Sequence, residues 1–298
     1  FHQALNMSST VYAPHFRKLS DFFWKKKNHF RKNSVIVITG ASSGIGRELA
    51  LQYSKRKCRL VLGARSSEDL ESLCDRCRDC GSEAIAVITD VTKEDDCKNL
   101  FDVAKKTFGV IDMVILNAGV GCHNVFTETN DLSMYDTLMK VNFFGYLYCT
   151  KYAYPYLLQS KGLLVIISSI SGEFGLPYRT AYCASKFAVT GFFEAFRAEL
   201  DAEFVRTKAK PVEICMICPP SIRTALRSNS VKADDRLLPQ AFNNKAIDVR
   251  TCVDIIIDAA DRRLRKVYFP LSAYFAVYLR PFFPDFIDRQ LHKIASKL

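Results

Sequence analysis

Three side chains within residues 162–190 could together deliver a proton to a carbonyl oxygen. An apolar run ends at Ser169, and Tyr182 and Lys186 follow after a loop that contains glycine and proline. The four-residue spacing places Tyr182 and Lys186 on one face of a helix that we expect to begin near Thr180. A hydroxyl at a strand end can position a substrate oxygen, and a phenol can donate the proton if its pKa is lowered from ~10. Reaching a pKa near 7 requires roughly 4 kcal/mol of preference for the phenolate, and we expect Lys186 to supply part of it.

A second tyrosine–lysine pair shows that the spacing alone is weak evidence. Tyr53 and Lys57 follow a glycine-rich turn, but no serine-ended strand precedes them. We interpret this second pair as a solvent-exposed helix face. The catalytic interpretation of Tyr182 rests on Ser169, which precedes it by thirteen residues across a strand, a loop and the start of a helix.

The chain alternates between short apolar runs and helical stretches from Ser34 onwards. This alternation predicts an α/β fold, a single Rossmann-type doubly wound parallel sheet of about seven strands with helices on both faces. The predicted strands are 35–39, 58–65, 83–90, 111–119, 163–168, 212–218 and 267–270. The predicted helices are 44–57, 66–80, 93–107, 131–160 with a bend at Pro155, 180–206 and 248–263. We place one catalytic domain at 34–270, between a basic, aromatic arm (1–33) and an aromatic C-terminal segment (271–298).

A glycine-rich turn joins the first strand to the first helix in the sequence TGASSGIG at 39–46. Gly40, Gly44 and Gly46 permit a tight turn, close approach of the backbone to a pyrophosphate and close packing of helix on strand. The N–H groups at the start of the helix favour a phosphate. The sequence therefore predicts a dinucleotide site, which also includes Ser42, Ser43 and Ile45.

Residues after the second, third and fourth strands complete the predicted dinucleotide site. Arg65 and Ser66 stand where a carboxylate would bind the ribose 2′-hydroxyl of NAD, and a guanidinium beside a hydroxyl suits a 2′-phosphate. We therefore predict NADP(H) as the cofactor. Asp90 and Val91, after the third strand, are expected to reach the adenine. Asn117, Ala118 and Gly119, after the fourth strand, are expected to lie close to the ribose.

Together these motifs resemble the short-chain dehydrogenase/reductase family over roughly residues 34–270. The matching elements follow the family's order and spacing: TGASSGIG at 39–46, Asp90, NAG at 117–119, Asn142, Ser169 and YCASK at 182–186. The runs LPYRTAYCASKFAVTGFFEAFRAEL and AVYLRPFFP are most similar to the membrane-associated, hydroxysteroid-dehydrogenase-like reductases of this family, the dehydrogenase/reductase seven group.

The resemblance implies a role for each member of the catalytic set. Ser169 would orient the substrate carbonyl, and Tyr182 would act as the general acid or base. Lys186 would also hold the nicotinamide ribose, and Asn142 would hold a water that connects Lys186 to solvent. The positive charge of the oxidised nicotinamide ring would help to stabilise the phenolate. A homodimer through the helices at 131–160 and 180–206 is implied as well.

One departure from the family pattern follows the sixth strand. The usual Pro-Gly is replaced by Pro219-Pro220, and Pro220 has a fixed φ and lacks an N–H group. The backbone beside the nicotinamide therefore differs from the family pattern, although we still expect Pro219, Ile222 and Thr224 to contact the cofactor.

A long, mixed segment at 220–248 is predicted to form a substrate lid, because long loops in compact domains are usually functional. Apolar side chains of this segment and of the 170–179 loop are expected to line the substrate: Phe174, Leu176, Tyr178, Leu226, Leu237 and Leu238. They favour a lipophilic carbonyl or alcohol of steroid, retinoid or fatty-acyl type, although packing of the loop would use the same residues.

Two alternative functions fit parts of the pattern. A reductase of acylated dihydroxyacetone phosphate would use the surplus of basic residues to bind a phosphate. A non-catalytic NADP-binding scaffold at a membrane would explain the nucleotide motif, but it would not need the intact catalytic set.

The net charge of +11 is unevenly distributed along the chain. Between Phe16 and Lys32, seven Lys/Arg residues accompany one acid and are interleaved with aromatic residues. Because no base-reading motif lies beside them, this combination favours a membrane interface over nucleic acid. No run reaches the ~20 apolar residues of a bilayer-spanning helix, and the first residue is Phe1, so a preceding anchor is compatible with the sequence.

The C-terminal run from Tyr268 to Ile287 is rich in aromatic residues, broken by prolines and preceded by four basic residues. This composition favours shallow insertion into a membrane interface, with docking on the domain or on a dimer partner as the rival. The family resemblance implies membrane association at the endoplasmic reticulum.

Eleven cysteines without a signal peptide are interpreted as reduced, mostly buried thiols. Cys74, Cys77 and Cys80 have a spacing that suggests zinc, but on a helix they would spread over about a third of the circumference. Cys215 and Cys218 lie on an apolar strand. We therefore expect no metal site.

Overall fold

The structure is a computed structural model, and it describes residues 30, 32–209, 211–224 and 246–295. Most of the predicted N-terminal arm, most of the predicted lid and the last residues of the C-terminal segment lie outside the described residues. Three of the residues expected to line the substrate also lie outside them: Leu226, Leu237 and Leu238.

Within the described residues, seven parallel strands form one sheet in the order β3-β2-β1-β4-β5-β6-β7. This arrangement confirms the predicted Rossmann-type fold. The sheet has its topological switch point between β1 and β4, and open α/β sheets bind ligands at this point, beyond the carboxyl ends of the strands. The strands are β1 (Val35–Thr39), β2 (Arg59–Ala64), β3 (Ala84–Ile88), β4 (Met113–Leu116), β5 (Leu163–Ile167), β6 (Glu213–Cys218) and β7 (Lys266–Tyr268).

Helices alternate with the strands and pack on both faces of the sheet. A π-helical segment, Lys140–Phe144, joins the helices Ser133–Met139 and Gly145–Ser160, so the predicted helix at 131–160 is continuous but changes its hydrogen-bonding pattern midway. The helices are α1 (Gly44–Lys55), α2 (Ser67–Asp79), α3 (Glu94–Phe108), α4 (Ser133–Met139), α5 (Gly145–Ser160), α6 (Thr180–Thr207), α7 (Val249–Asp261), α8 (Leu271–Leu279) and α9 (Pro284–Ala295).

Burial on both faces explains why the strands are continuous apolar runs. Every residue of β1 and of β5 is buried. Ile36 and Ile38 belong to the core on one face of the sheet, whereas Val35 and Val37 belong to the core on the other face. The ends of these strands are therefore fixed by packing from both sides, which makes them a rigid base for functional side chains.

The interpretation of Tyr53 and Lys57 as an exposed helix face is wrong for Tyr53, whereas Lys57 is exposed but lies outside the helix. Tyr53 lies in the last turn of α1 on the same face as Leu49 and Ala50, and all three are fully buried. Lys57 lies beyond the end of the helix with a φ of 60°, and its ammonium donates to the carbonyl of Cys80. The physical reason is that the apolar face of α1 continues to its last turn, so the tyrosine ring belongs to the core.

The cysteines of α2 are part of the protein core. Cys74 and Cys77 are buried, and burial raises the pKa of both thiols to about 11. Cys80 forms the C-cap of the helix. At neutral pH the two buried thiols are therefore protonated.

The C-terminal helices leave several aromatic side chains exposed. Within the described ranges, no helix has both the length and the apolar character needed to cross a bilayer. The aromatic residues of α8, α9 and their connection that are at least about half exposed are Phe275, Tyr278, Phe282, Phe283 and Phe286.

Candidate active site

The carboxyl edge of the sheet brings the predicted nucleotide and catalytic residues together. β1 ends in the glycine turn, and β4, β5 and β6 lead to Asn117, Ser169 and Pro219, respectively. Because these four strands are consecutive in the sheet, their ends form a continuous row. A ligand lying along this row would reach both the glycine turn and the serine.

Close backbone contacts require two glycines of the turn. Gly40 has a φ of 64°, and a Cβ at this position would lie 2.7 Å from the Cα of Ala118. A Cβ on Gly46 would lie 2.6 Å from Nδ2 of Asn117 and would also collide with the carbonyl of Gly40. The inner side of the turn therefore packs directly on the end of β4, while Ser43 is exposed on its outer side.

Thr39 and Asn117 hold the turn against β4. Nδ2 of Asn117 donates to the carbonyl oxygens of Thr39 (3.0 Å) and Gly40 (3.1 Å). The hydroxyl of Thr39 accepts from the backbone N–H groups of Asn117 (3.0 Å) and Ala118 (3.2 Å). Sequence reasoning included Asn117 but missed Thr39, although a hydroxyl residue directly before the first glycine is a visible signal.

The start of α1 suits an anion. Its N-cap residue, Ser43, is extended (φ −148°) and makes no side-chain capping hydrogen bond, and the first turn contains no acidic residue. In α2, by contrast, the hydroxyl of Ser66 accepts from the backbone N–H of Asp69 (3.3 Å), and Glu68 and Asp69 occupy the first turn. Free N–H groups and an uncompensated helix dipole favour a phosphate, so the residues of the turn fit the pyrophosphate of a dinucleotide.

The remaining predicted nucleotide residues lie after β2 and β3. Arg65 is exposed at the end of β2, whereas Ser66 is already engaged as the cap of α2. The carboxylate of Asp90 accepts from the backbone N–H (3.0 Å) and the hydroxyl (2.8 Å) of Thr92, which fixes its orientation. Val91 is buried beside it. An exposed guanidinium and an oriented carboxylate are suited to the adenosine end of a dinucleotide.

Ser169 is held in a short 3-10 turn that follows β5. Its hydroxyl accepts from the backbone N–H of Ser171 (3.1 Å) and donates to the carbonyl of Pro219 (3.5 Å). The backbone N–H of Ile170 donates to the same carbonyl (3.1 Å). The carbonyl of Pro219 therefore anchors the serine turn, and this contact does not need the N–H group that Pro220 lacks.

Tyr182 lies in the first turn of α6, half-buried, with the hydroxyl of Ser169 close enough to its phenol to affect the pKa of that group. Burial raises the pKa of the phenol above 10, and the Arg179 guanidinium and the Ser169 hydroxyl oppose this increase. We expected Lys186 to provide the opposing charge. Sequence reasoning missed Arg179, because its position three residues before Tyr182 does not show where its side chain lies.

Lys186 is buried behind the tyrosine. Its Nζ donates to the carbonyl of Ile167 (3.0 Å) and lies 5.9 Å from the centroid of the Tyr182 ring. Burial lowers the pKa of Lys186 to about 8. A lysine with this pKa can exchange protons near neutral pH. Because burial also destabilises its charge, Lys186 is less suited to stabilising a phenolate than its spacing suggested.

Asn142 lies in the π-helical segment and braces the site. Its Oδ1 accepts from the N–H of Val120 (2.9 Å), and its Nδ2 donates to the carbonyl of Val120 (3.0 Å) and the hydroxyl of Ser185 (3.0 Å). A Cβ on Gly119 would lie 3.3 Å from Oδ1. Both N–H bonds of the amide are used, so a water at this position would meet an oxygen of Asn142. The side chain links the segment after β4 to the helix that carries the tyrosine.

The other residues predicted to contact ligands lie around this set. Phe174 is 1% exposed and packs inside the protein, whereas Tyr178 is 41% exposed and has a φ of 62°. Ile222 is buried after β6. Thr224 lies over the glycine turn, because a Cβ on Gly44 would be 3.3 Å from its side chain. Of these residues, Thr224 is therefore placed beside the nucleotide turn and Tyr178 is open to solvent.

Two relatives cover most of this chain. A protein from Dictyostelium discoideum named dehydrogenase/reductase SDR family protein 7-like is 35% identical over 273 residues, which is 89% of this chain and 83% of that protein. A hydroxysteroid 11-beta-dehydrogenase 1-like protein from Xenopus tropicalis is 31% identical over 265 residues, which is 87% of this chain and 88% of that protein.

Solved structures share the fold. A short chain dehydrogenase from Burkholderia cenocepacia in complex with NADP matches with a TM-score of 0.71 at 24% identity, over 87% of this chain and 98% of that one. A short chain dehydrogenase/reductase from Burkholderia phymatum in complex with NAD matches with a TM-score of 0.62 at 27% identity, over 78% and 80% of the two chains.

The family model for short chain dehydrogenase matches residues 34–235, more than half of the chain. This range begins just before β1 and extends beyond Thr224, so it includes the glycine turn, the serine turn and the tyrosine helix. The match agrees with the parallel sheet and with the two relatives. The chain is therefore an oxidoreductase that belongs to the short-chain dehydrogenase family.

Proposed function

We propose that this protein interconverts a carbonyl and a secondary alcohol on a lipophilic small molecule, with NADP(H) as the cofactor. The observation that carries the proposal is the placement of Ser169 beside the phenol of Tyr182 at the carboxyl edge, with Lys186 buried directly behind. The glycine turn lies on the same edge, so a dinucleotide bound there would reach this pair.

Each of the four predicted catalytic residues has a defined part in the proposed reduction. The hydroxyl of Ser169 binds the substrate oxygen, and the phenol of Tyr182 donates its proton to that oxygen. The nicotinamide cofactor, when bound, supplies the hydride and, once oxidised, a positive charge that favours the phenolate. Lys186 holds the ribose, and a water at Asn142 returns the proton from solvent. Because Tyr182 is half-buried against an apolar cluster, bulk water has limited access to the proton transfer.

The preference for NADP(H) is supported by the exposed guanidinium of Arg65 at the end of β2, where a carboxylate would favour NAD. Replacing Arg65 by Asp should lower the ratio of kcat/KM for NADPH to that for NADH by about 100-fold, because a charge-assisted contact to the 2′-phosphate is lost. An unchanged ratio in Arg65→Asp would refute the role of Arg65.

A lipophilic substrate is supported by the apolar surroundings of Tyr182. The tyrosine packs on an apolar cluster that includes Met134, Leu138 and Ala181. Tyr178 and Phe126 are exposed on nearby loops. One of the relatives is named as a hydroxysteroid dehydrogenase-like protein. We therefore propose that the substrate bound beside Tyr182 is a steroid-like, retinoid or acyl-chain carbonyl compound.

A second candidate substrate, acylated dihydroxyacetone phosphate, is favoured by Arg179. Its guanidinium opposes the increase in the pKa of the Tyr182 phenol, so a positive charge lies near the reacting oxygen. A phosphate on the substrate would complement that charge and the net charge of +11.

A substrate screen tests these proposals. Purified protein is incubated with NADPH and a steroid ketone, a retinaldehyde or an acylated dihydroxyacetone phosphate, and NADPH oxidation is followed. Turnover of the steroid ketone or the retinaldehyde supports a lipophilic carbonyl substrate. Turnover of acylated dihydroxyacetone phosphate alone supports the phosphate-bearing substrate. Tight binding of NADPH without turnover of any carbonyl would instead indicate a scaffold.

We also propose association with a membrane, at the endoplasmic reticulum, and a homodimer. The exposed aromatic side chains of α8 and α9 support the membrane contact.

Exposed Phe144, Leu158 and Phe187 on the helices at 140–160 and 180–207 support the dimer. Release of the protein by high salt alone would argue against the membrane contact, and a monomer in analytical ultracentrifugation would argue against the dimer.

A further inference from the structure

A buried carboxylate that the proposed reaction does not use lies directly after the serine turn. The side chain of Glu173 is 10% exposed, and Oε1 accepts from the ammonium of Lys266 at 2.7 Å. Oε2 accepts from the hydroxyl of Tyr268 at 3.0 Å. Longer contacts join Oε1 to the hydroxyl of Thr190 (3.5 Å) and the thiol of Cys218 (3.8 Å). One carboxylate thus joins the serine turn to α6, β6 and β7.

The partners of Glu173 lie next to residues of the active site. Thr190 is one helical turn beyond Lys186 on α6. Cys218 immediately precedes Pro219, whose carbonyl accepts from the hydroxyl of Ser169. These connections mean that a shift of the carboxylate would be passed to both sides of the serine–tyrosine pair.

The turn itself packs on the backbone of α6. A Cβ on Gly172 would lie 2.7 Å from the carbonyl oxygen of Lys186 and 2.8 Å from the hydroxyl of Thr190. This close contact leaves little room for the turn to relax if its charged anchor is lost.

We propose that Glu173 is a positioning residue, which holds the serine turn against α6 through its ion pair with Lys266 and its hydrogen bond to Tyr268. The kinetic part of this inference rests on the proposed carbonyl reduction. A buried ion pair contributes little net stability but fixes geometry when its hydrogen bonds are satisfied. Hydrogen bonds from a lysine and a tyrosine of β7 satisfy both carboxylate oxygens here.

Replacing Glu173 by Gln tests the proposal without leaving an isolated buried charge. Lys266 also lies 3.6 Å from a carboxylate oxygen of Glu194, so it keeps an acidic neighbour in the variant, and the amide of Gln can still accept from Tyr268. We expect kcat for carbonyl reduction to fall about 10-fold, because a small misplacement of the reacting groups is costly. We expect KM for NADPH to change less than 2-fold, because the glycine turn is untouched.

The ion pair between Arg56 and Asp261 provides a matched control. It is also partly buried, with Asp261 3% exposed and an N–O distance of 2.7 Å, but it lies at the opposite edge of the sheet. Asp261→Asn should lower the unfolding temperature about as much as Glu173→Gln and leave kcat unchanged. Equal losses of kcat in the two variants, or full kcat in Glu173→Gln, would overturn the proposal.

Lys266→Met and the double variant Glu173→Gln/Lys266→Met complete a double-mutant cycle. If the two side chains act as one anchor, the double variant should lose no more kcat than the worse single variant. If the double variant instead lost kcat by the product of the two single losses, Glu173 and Lys266 would not act as one anchor.

A measurement that needs no turnover separates this inference from the proposed function. Backbone N–H groups of Ile170, Gly172 and Phe174 are hydrogen-bonded in the serine turn. Their hydrogen exchange should be faster in Glu173→Gln and unchanged in Asp261→Asn. If no carbonyl compound is reduced by the wild type, the proposed function fails, and unchanged exchange in Glu173→Gln would reject the anchor as well.

Discussion

The two edges of the sheet contain similar residues in different electrostatic surroundings. At the amino edge, Tyr53 is fully buried, and after burial itself the neighbouring carboxylate of Asp261 is the next largest cause that raises the pKa of its phenol. At the carboxyl edge, burial also raises the pKa of Tyr182, but the neighbouring groups, Arg179 and the hydroxyl of Ser169, oppose the shift. After burial itself, the largest neighbouring charge therefore acts on the pKa of the phenol in opposite directions at the two tyrosines.

The lysines that follow these tyrosines differ as strongly. Lys57 is exposed, and its ammonium bonds to a backbone carbonyl. Lys186 is buried, and its pKa falls to about 8. A tyrosine and a lysine four residues apart thus serve the fold at one edge, while at the other edge the lysine can exchange a proton near neutral pH. Environment rather than spacing therefore distinguishes the two pairs.

The largest expected effect separates the two tyrosines. Tyr182→Phe removes the proton donor, so kcat for the carbonyl compound should fall about 10³-fold, within the usual range for a general acid. Tyr53→Phe should keep full kcat. Among the described residues the hydroxyl of Tyr53 has no hydrogen-bond partner, so its removal should leave the free energy of unfolding unchanged or slightly higher.

The measurement is NADPH oxidation by both variants under identical conditions, with circular dichroism to verify folding. Equal activity of Tyr182→Phe and Tyr53→Phe would remove the distinction between the two edges. A loss of stability in Tyr53→Phe would show that its hydroxyl does find a partner in solution.

The next effect concerns the buried lysine and its pH dependence. Folded Lys186 loses its proton near pH 8, whereas in the unfolded chain it does so near 10.5. Between these pH values the unfolded state binds more protons, so the free energy of unfolding gains a contribution that rises with pH. The full difference is on the order of 3 kcal/mol.

Urea unfolding of cofactor-free wild type and Lys186→Met from pH 8 to pH 10.5 measures this contribution. Subtracting the two curves removes the titration of buried thiols such as Cys58, whose pKa burial raises to about 11. The stability of the wild type should rise relative to Lys186→Met across this range. A flat or falling difference would show that Lys186 is not buried as an unfavourable charge.

The parts of the fold set by backbone geometry could be predicted from the sequence. The apolar run 35–39 and the glycines after it are compatible with few backbone structures. A buried parallel strand requires apolar residues, and a turn that packs closely on a phosphate requires glycine. The burial of Tyr53 could not be predicted from the sequence, because the sheet beneath a helix decides which face of the helix packs inward. The contact of Glu173 with Tyr268 spans 95 residues, and no local pattern encodes it.

The relative positions of the proposed catalytic residues were predictable for a similar reason. Ser169, Tyr182 and Lys186 lie on a strand end and one helix, so a local pattern records their relation. Arg179 contributes a charge beside Tyr182, but an arginine in a loop carries no signal of where its side chain lies. Local geometry therefore predicts which residues meet, whereas their pKa values depend on tertiary surroundings that the sequence does not display.

The smallest expected effect tests the comparison at the level of the backbone. Gly46 lies in the first turn of α1 at the carboxyl edge, whereas Gly191 lies within α6, where an added Cβ meets nothing within 4 Å. Gly191→Ala should raise the free energy of unfolding by about 0.5–1 kcal/mol, the usual gain in a helix interior. Gly46→Ala should lower it by about 1–3 kcal/mol, because the methyl group overpacks against Asn117 and the carbonyl of Gly40.

The same Gly46 variant should also bind NADPH more weakly, since a displaced turn misaligns the N–H groups at the start of α1. Fluorescence titration with NADPH and urea unfolding measure the two effects on one sample. If Gly46→Ala gained stability as Gly191→Ala does, the turn would have room for a side chain. The close packing of the glycine turn on β4 would then not be the reason for glycine at this position, and the carboxyl edge would owe its function to side chains alone.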